Sequence, residues 1–257
     1  MKKKYKILVS NDDGISSKGI VALRNAMLEL GEVVVYAPHK QQSAVGHAIT
    51  VQTPLRIEPH FVNDELFGYA VTGTPADCVK LAISSMMDDP PDLVVSGINH
   101  GANIAINVLY SGTVSAATEG RILDIPSIAF SMTTFEPEDF SYAQKVAKQI
   151  SKEVLEKGLP PGVLLNVNIP AVPESEIRGI TVTRQGRSKW NDIYERRIDP
   201  NQREYFWLTG SLKKLDIEID SDVIATHENF VSVTPIQYDL TAYDFLPHLK
   251  KWNLNGK

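Results

Sequence analysis

Tyr5 to Ser10 is an apolar run of strand length that stops on Asn11-Asp12-Asp13-Gly14. The thirty residues after it restrict the fold more than any other stretch of the chain. Ile20, Leu23, Ala26, Met27 and Leu30 recur at helical spacing, which predicts an amphipathic helix closed by Gly31. Glu32 to Ala37, with Val33-Val34-Val35-Tyr36 inside it, is the next strand. Two strands joined through a helix are parallel neighbours, because a tight turn joins only antiparallel ones. The chain therefore opens as a parallel α/β sheet.

The same alternation continues. Ile49, Val51, Leu55 and Ile57 predict extended structure, as do Tyr69 to Val71. Thr74-Pro75 is a helix start, with Thr as the cap and Pro in the first turn. That helix passes Val79, Ile83 and Met86 and ends before Pro90-Pro91. Strands follow over 92–96, 127–130 and 163–169, with helices over 113–123 and 142–157 between them. After Pro170 the pattern changes. Gly179 to Arg184 and Phe230 to Val233 are strands, Tyr243 to Trp252 a short closing helix. Residues 185–210 mix charges with Trp190, Tyr194, Tyr205, Phe206 and Trp207, the pattern of an extended hairpin arm. The expected fold is a Rossmann-like, doubly wound, mostly parallel sheet over residues 1–170, with a C-terminal β-hairpin extension over 171–257 packed on it.

Composition removes several function classes. One cysteine, Cys78, in 257 residues forbids an internal disulfide and a cysteine-rich zinc site. Its helix position makes it a small apolar filler. A net charge of −5 without a long basic block speaks against a nucleic-acid binder. The start Met1-Lys2-Lys3-Lys4 precedes an apolar run of only Ile7-Leu8-Val9, too short for an export leader. Residues 93–118 carry no Asp, Glu, Lys or Arg, yet Asn99, His100, Asn103 and Asn107 are groups that lipid would punish. A cytoplasmic protein without a membrane span is expected.

Ligands of open parallel sheets bind beyond the carboxyl ends of the strands. Three loops there carry chemistry. Asp12 and Asp13 repel each other and stay ionised together most readily beside a cation, and hard divalent cations take oxygen ligands. The plainer reading is a solvated Asx turn with Gly14 at positive φ. After the second strand, His39-Lys40-Gln41-Gln42-Ser43-Ala44-Val45-Gly46-His47 is either an ordinary polar loop or the source of a hydroxyl ligand from Ser43. The two histidines lack helical metal spacing. After the third strand, Tyr110-Ser111-Gly112-Thr113-Val114 opens a helix. Ser111 and Thr113 are ordinary capping residues there, and they are equally an anion cradle on the helix dipole. An acidic pair, a serine loop and an Asn/Ser/Thr cradle at successive strand ends are most economically read as a metal and a phosphate.

Two other classes share parts of this pattern. A signalling receiver also follows its first strand with an acidic pair that binds Mg²⁺. It needs an Asp at the end of its third strand and a Lys after its fifth, where this chain has Ser96-Gly97 and Asn168-Ile169-Pro170. A dinucleotide enzyme needs Gly-x-Gly-x-x-Gly after the first strand, which is absent. A non-catalytic module that binds metal and phosphate remains open.

Asn11-Asp12-Asp13-Gly14, Ser43-Ala44-Val45-Gly46, Gly73-Thr74-Pro75-Ala76-Asp77-Cys78, Ser96-Gly97-Ile98-Asn99-His100-Gly101-Ala102-Asn103 and Tyr110-Ser111-Gly112-Thr113-Val114 occur in one order. Together they resemble the SurE (survival protein E) nucleotidases. The resemblance runs from Lys6 to about Gly210, where Asp199-Pro200 and Tyr205-Phe206-Trp207-Leu208-Thr209-Gly210 also match. It implies a phosphomonoesterase acting on nucleoside 5′- and 3′-monophosphates, with some trimming of short polyphosphate. It implies one divalent ion per subunit, Mg²⁺ or Mn²⁺, on Asp12, Asp13, Ser43 and Asn99. It implies a phosphate held by Asn103, Ser111, Gly112 and Thr113. The parts themselves suggest Asp12, Asp13, Asn103 and Ser111 as the catalytic set, with water as the preferred nucleophile and a covalent aspartyl-phosphate through Asp12 as the alternative. The resemblance also implies a homodimer or homotetramer built by exchange of the C-terminal hairpin. The chain departs from the family at Ala105-Ile106-Asn107 and at His39-Lys40, which touches substrate preference and loop charge rather than the metal set.

Overall fold

The computed structural model describes residues 4–213 and 215–254. The basic start at residues 1–3 and the last residues of the extension, 255–257, lie outside them. Strand β1 (Tyr5–Ser10) leads through helix α1 (Lys18–Leu28) to β2 (Gly31–Pro38). Ser17 caps α1 by accepting a 3.4 Å bond from the Ile20 N–H. The helix stops at Leu28 and not at Leu30, because Gly31 already pairs with Tyr5 in the ladder between β2 and β1.

The chain continues as β3 (Ile57–Val62), β4 (Glu65–Val71), α2 (Pro75–Leu81), β5 (Leu93–His100), α3 (Gly112–Ile122), β6 (Ser127–Met132), α4 (Ser141–Lys157) and β7 (Val163–Ile169). A wide turn, Ala82–Met86, prolongs α2. Then come β8 (Gly179–Val182), β9 (Lys189–Ile198), β10 (Glu204–Lys213), α5 (Asp222–His227), β11 (Phe230–Gln237) and α6 (Leu246–Leu249). The main sheet has the order β3-β4-β2-β1-β5-β6-β7-β11-β8. Every pairing from β4 to β7 is parallel, while β3 on β4 and β11 on β7 are antiparallel. The expected mostly parallel α/β sheet is the observed one.

Central strands bury both faces, so their sequences are apolar without alternation. Ile7 and Val9 of β1 pack with Ile20, Leu23 and Met27 of α1 and with Val146 and Ile150 of α4. Leu8 faces the other way, toward Cys78 and Val79 of α2 and Ala116 of α3. Cys78 is fully buried, in keeping with its reading as filler. From β1 the chain winds to β2 on one side and later returns to β5 on the other. The crevice at this reversal opens at the carboxyl ends of β1 and β5, the favoured ligand site of such sheets.

Three differences from expectation have physical causes. Ile49 and Val51 form no strand and are 51% and 80% exposed. Their segment is tied instead to the start of α2, with the Thr50 N–H on Asp77 Oδ1 at 2.9 Å and the Thr74 hydroxyl on the Ala48 carbonyl at 2.6 Å. Strand β5 runs past Ser96 to His100 through a register shift between Ser96 and Asn99. Gly97 makes this possible: its φ is +130°, and a Cβ there would lie 2.2 Å from the Phe130 carbonyl oxygen. Such an irregularity re-aims the residues after it, here Asn99. Helix α5 and strand β3 carry little sequence signal. The first has only six residues, too few to show a period, and the second is largely exposed.

Strands β9 and β10 form their own antiparallel ribbon, and every residue of β9 is exposed. Among the described residues no helix is long and apolar enough to cross a membrane.

Candidate active site

The loop after β1 enters the crevice with Asp12 only 4% exposed, so it is not the solvated turn of the plainer reading. The turn geometry itself is as expected: Gly14 has φ +95° and its carbonyl accepts the Asn11 side-chain N–H at 2.9 Å. Helix α3 starts directly against Asp12. The Thr113 hydroxyl donates to Asp12 Oδ1. A Cβ on Gly112 would lie 2.7 Å from Asp12 Cβ, so only glycine lets the helix end come this close. Ser111 caps α3 by accepting the Val114 N–H at 3.1 Å, which leaves its own hydroxyl hydrogen available to another acceptor.

Asp13 turns toward the neighbouring strands. Its Oδ2 accepts the His100 N–H at 3.2 Å. Its Oδ1 lies 3.4 Å from Gln41 Nε2, and the same nitrogen donates to Ser43 Oγ at 2.8 Å. The Gln42 N–H adds a 2.7 Å bond to the Asp12 carbonyl. Asn99 donates its side-chain N–H to the Gly101 carbonyl at 2.7 Å, which leaves the carboxamide oxygen, the atom a hard cation takes, for another contact.

Asp13 and Ser43 thus meet through Gln41, Asp12 is held to the same loop by the Gln42 N–H, and Asn99 stands one residue before the N–H that meets Asp13. Ser111, Gly112 and Thr113 close the group from α3. Asn103 follows four residues after Asn99, and among the described residues no hydrogen bond joins it to Asp12 or Ser111. Its carboxamide nitrogen donates to Ser131 Oγ of β6 at 2.8 Å.

The electrostatics fit a cation. Burial pushes the Asp12 carboxyl up to about 6, with the neighbouring Asp13 charge adding to the rise and bonds from Thr113 opposing it. Burial also raises Asp13, against the pull of His100. Among the described residues neither carboxylate has a Lys or Arg ion-pair partner. Nor, among them, do three or more His, Cys, Asp or Glu side chains form a group that could hold a metal ion by themselves. A cation held here would complete its shell with neutral oxygens, from water or from hydroxyl and carboxamide groups. Ser43 and Asn99 carry those groups, and two carboxylates with neutral oxygens suit Mg²⁺ or Mn²⁺.

The loop over residues 39–50 is fastened from behind. Glu119 of α3, nearly fully buried, meets His47 Nε2 at 2.8 Å and Lys80 Nζ at 2.5 Å. These contacts lower its carboxyl despite burial. His47 is thus a fastener of this loop. Sequence reasoning missed this brace, Gln41, and the buried Asn166 and Asn168 of β7. The last two left a signal, since polar residues inside Val-Leu-Leu-Asn-Val-Asn-Ile need partners when buried.

Similar proteins match this chain along nearly its whole length. A 5′-nucleotidase SurE of Syntrophobacter fumaroxidans is 51% identical over 97% of this chain and 100% of its own length. A 5′-nucleotidase SurE of Chlorobium phaeobacteroides is 51% identical over 98% of each chain. The crystal structure of the SurE protein from Aquifex aeolicus superposes with a TM-score of 0.83 at 44% identity, over 95% of this chain and 98% of that one. The family model described as survival protein SurE matches residues 7–192, the span that holds the acidic pair, the serine loop and the start of α3, and the chain belongs to that family.

Proposed function

We propose that the chain is a divalent-metal-dependent phosphomonoesterase that hydrolyses nucleoside 5′- and 3′-monophosphates to nucleoside and phosphate. The observation that carries this reading is the pressing of α3, with its Ser111-Gly112-Thr113 start, onto the buried Asp12 beside Asp13, with no Lys or Arg partner to Asp12 among the described residues. The relatives named 5′-nucleotidase support the substrate class. Asp12, Asp13, Ser43 and Asn99 hold one Mg²⁺ or Mn²⁺ per subunit. When bound, such an ion supplies Lewis acidity to a phosphoryl oxygen and lowers the pKa of a water. Ser111, Gly112, Thr113 and Asn103 bind the phosphoryl oxygens and stabilise the charge that spreads over them as water attacks phosphorus in line. The nucleoside oxygen leaves on the opposite side. Trimming of short polyphosphate is a side activity of the same cradle.

Phosphate release from a panel of 5′- and 3′-monophosphates and a short polyphosphate tests the substrate assignment. Release from nucleoside monophosphates is expected. Tight binding of metal and phosphate without release would instead make the chain a binding module. Ser111→Ala lowers kcat by about ten- to a thousandfold, the range for losing one donor to the transition state. It also removes a helix cap, at a cost of about 1 kcal/mol. Thermal unfolding beside the kinetics separates the two effects, and an unchanged kcat would remove Ser111 from the cradle.

We further propose that residues 1–170 are the catalytic core and that 171–257 serve as an oligomerisation arm, giving a homodimer or homotetramer. Exposed Trp190, Ile193, Tyr194, Phe206, Trp207 and Leu208 on the ribbon support this, because so apolar a surface is costly in water. Replacing residues 189–213 by a short Gly-Ser linker yields a monomer in gel filtration with light scattering. An unchanged oligomer would remove the arm from assembly. We also propose a cytoplasmic location, which the single cysteine supports, since it leaves no internal disulfide to form.

A further inference from the structure

We propose that Asn168 of β7 is a positioning residue for Asn103: its one carboxamide clamps both main-chain groups of Asn103 and so aims that side chain at the phosphate site. The inference rests on the nucleotidase reading only for what Asn103 then does.

The clamp is fully drawn in hydrogen bonds. Asn168 Oδ1 accepts the Asn103 N–H at 2.8 Å, and Asn168 Nδ2 donates to the Asn103 carbonyl at 3.1 Å. Asn166 Nδ2 gives that carbonyl a second bond at 2.7 Å, which fills both of its lone pairs. Ser131 Oγ accepts one hydrogen of the Asn103 carboxamide at 2.8 Å. Asn103 is 6% exposed, and Ser131, Asn166 and Asn168 are fully buried. Its main chain is thus fixed by three bonds and its side chain by one.

Asparagine is the chemistry this task requires. The groups to be held are an N–H and a C=O of the same residue, so the holder must accept and donate through one short, planar side chain. A buried carboxamide is costly where nothing bonds it, and an apolar residue would suit a central strand better on packing alone. Strand β6 lies between β7 and β5, which places Asn168 behind Asn103 and away from Asp12 and Asp13. It acts through Asn103 and not on the substrate. The next residues are braced in the same way. Asp222 Oδ2 accepts the Ala105 N–H at 3.0 Å, and Gln185 Nε2 donates to the Ala105 carbonyl at 2.7 Å.

A double-mutant cycle with an exchange measurement tests the clamp. Asn168→Ala lowers kcat by about 10- to 100-fold, the range for a displaced catalytic group, with KM changed by less than about threefold. In an Asn103→Ala background the same substitution changes kcat by less than about twofold. Amide exchange at Asn103 accelerates in Asn168→Ala, because its N–H loses its acceptor. Should Asn168→Ala fail to fold, Asn168→Asp keeps the size and the acceptor but loses the donor, and the same cycle applies. A full loss repeated in the Asn103→Ala background would show a general structural role and overturn the proposal. So would an unchanged kcat in Asn168→Ala. If the wild-type protein releases no phosphate, the nucleotidase reading fails, and the clamp is judged on exchange alone: unchanged exchange at Asn103 overturns it.

Discussion

Asp13→Asn abolishes metal-dependent phosphate release and leaves the fold intact. The carboxamide keeps the size of the side chain and an oxygen for the His100 N–H, which now bonds Asp13 Oδ2 at 3.2 Å. What it would lose, in the proposed site, is the second negative charge facing the cation. A divalent ion contributes several kcal/mol of transition-state stabilisation, so kcat falls by about a thousandfold or more. Far-UV circular dichroism and the unfolding temperature stay close to wild type, because Asp13 has no ion-pair partner to strand among the described residues. A variant with near-normal, metal-dependent turnover would remove Asp13 from the site.

Asp12→Asn has the opposite effect on stability to the one usual for a buried residue. The Asp12 carboxyl titrates at about 6 in the folded chain against an ordinary 3.8. Between those values the folded protein binds more protons than the unfolded one, so stability falls as pH rises through this window. Above it, without a cation, the buried carboxylate costs about 3 kcal/mol. Removing the charge therefore raises the unfolding temperature in chelator at pH 8, by about 5–10 °C for a chain of this size. Thr113 keeps an oxygen to donate to, so the local packing survives. Activity is lost, the usual exchange between a strained site and stability. If Asp12 holds the cation as proposed, the same proton competes with it in the wild type, and metal affinity is expected to weaken as pH drops below about 6. Calorimetric unfolding with chelator at pH 4 and pH 8 measures this. An unfolding temperature at pH 8 equal to or below wild type would contradict it.

The doubly wound core was legible because its signals are local. The apolar runs of β1 and β2, the helical spacing of α1 and the Thr74-Pro75 start of α2 each depend on a few adjacent residues. The acidic pair was legible for the same reason, since a parallel sheet delivers its strand ends to one crevice whatever the loops do. The environment that decides between readings was not. Whether Asp12 sits in water or under α3 depends on Gly112, one hundred residues away, meeting its Cβ. Ser43 reaches Asp13 through the side chain of Gln41. The clamp on Asn103 joins residues that no sequence window contains. The exposed course of Ile49 and Val51 reads as strand by composition, but capping contacts from α2 take the hydrogen bonds that a ladder would need.

In the proposed reaction, phosphate transfer to water requires a divalent cation at the Asp12–Asp13 pair. The most direct test strips the protein with chelator and tracks phosphate release from a nucleoside 5′-monophosphate while Mg²⁺ or Mn²⁺ is added back. The expected result is no release in chelator and a saturable return of release with either ion. Undiminished release in chelator, or no release with any divalent ion, would contradict it.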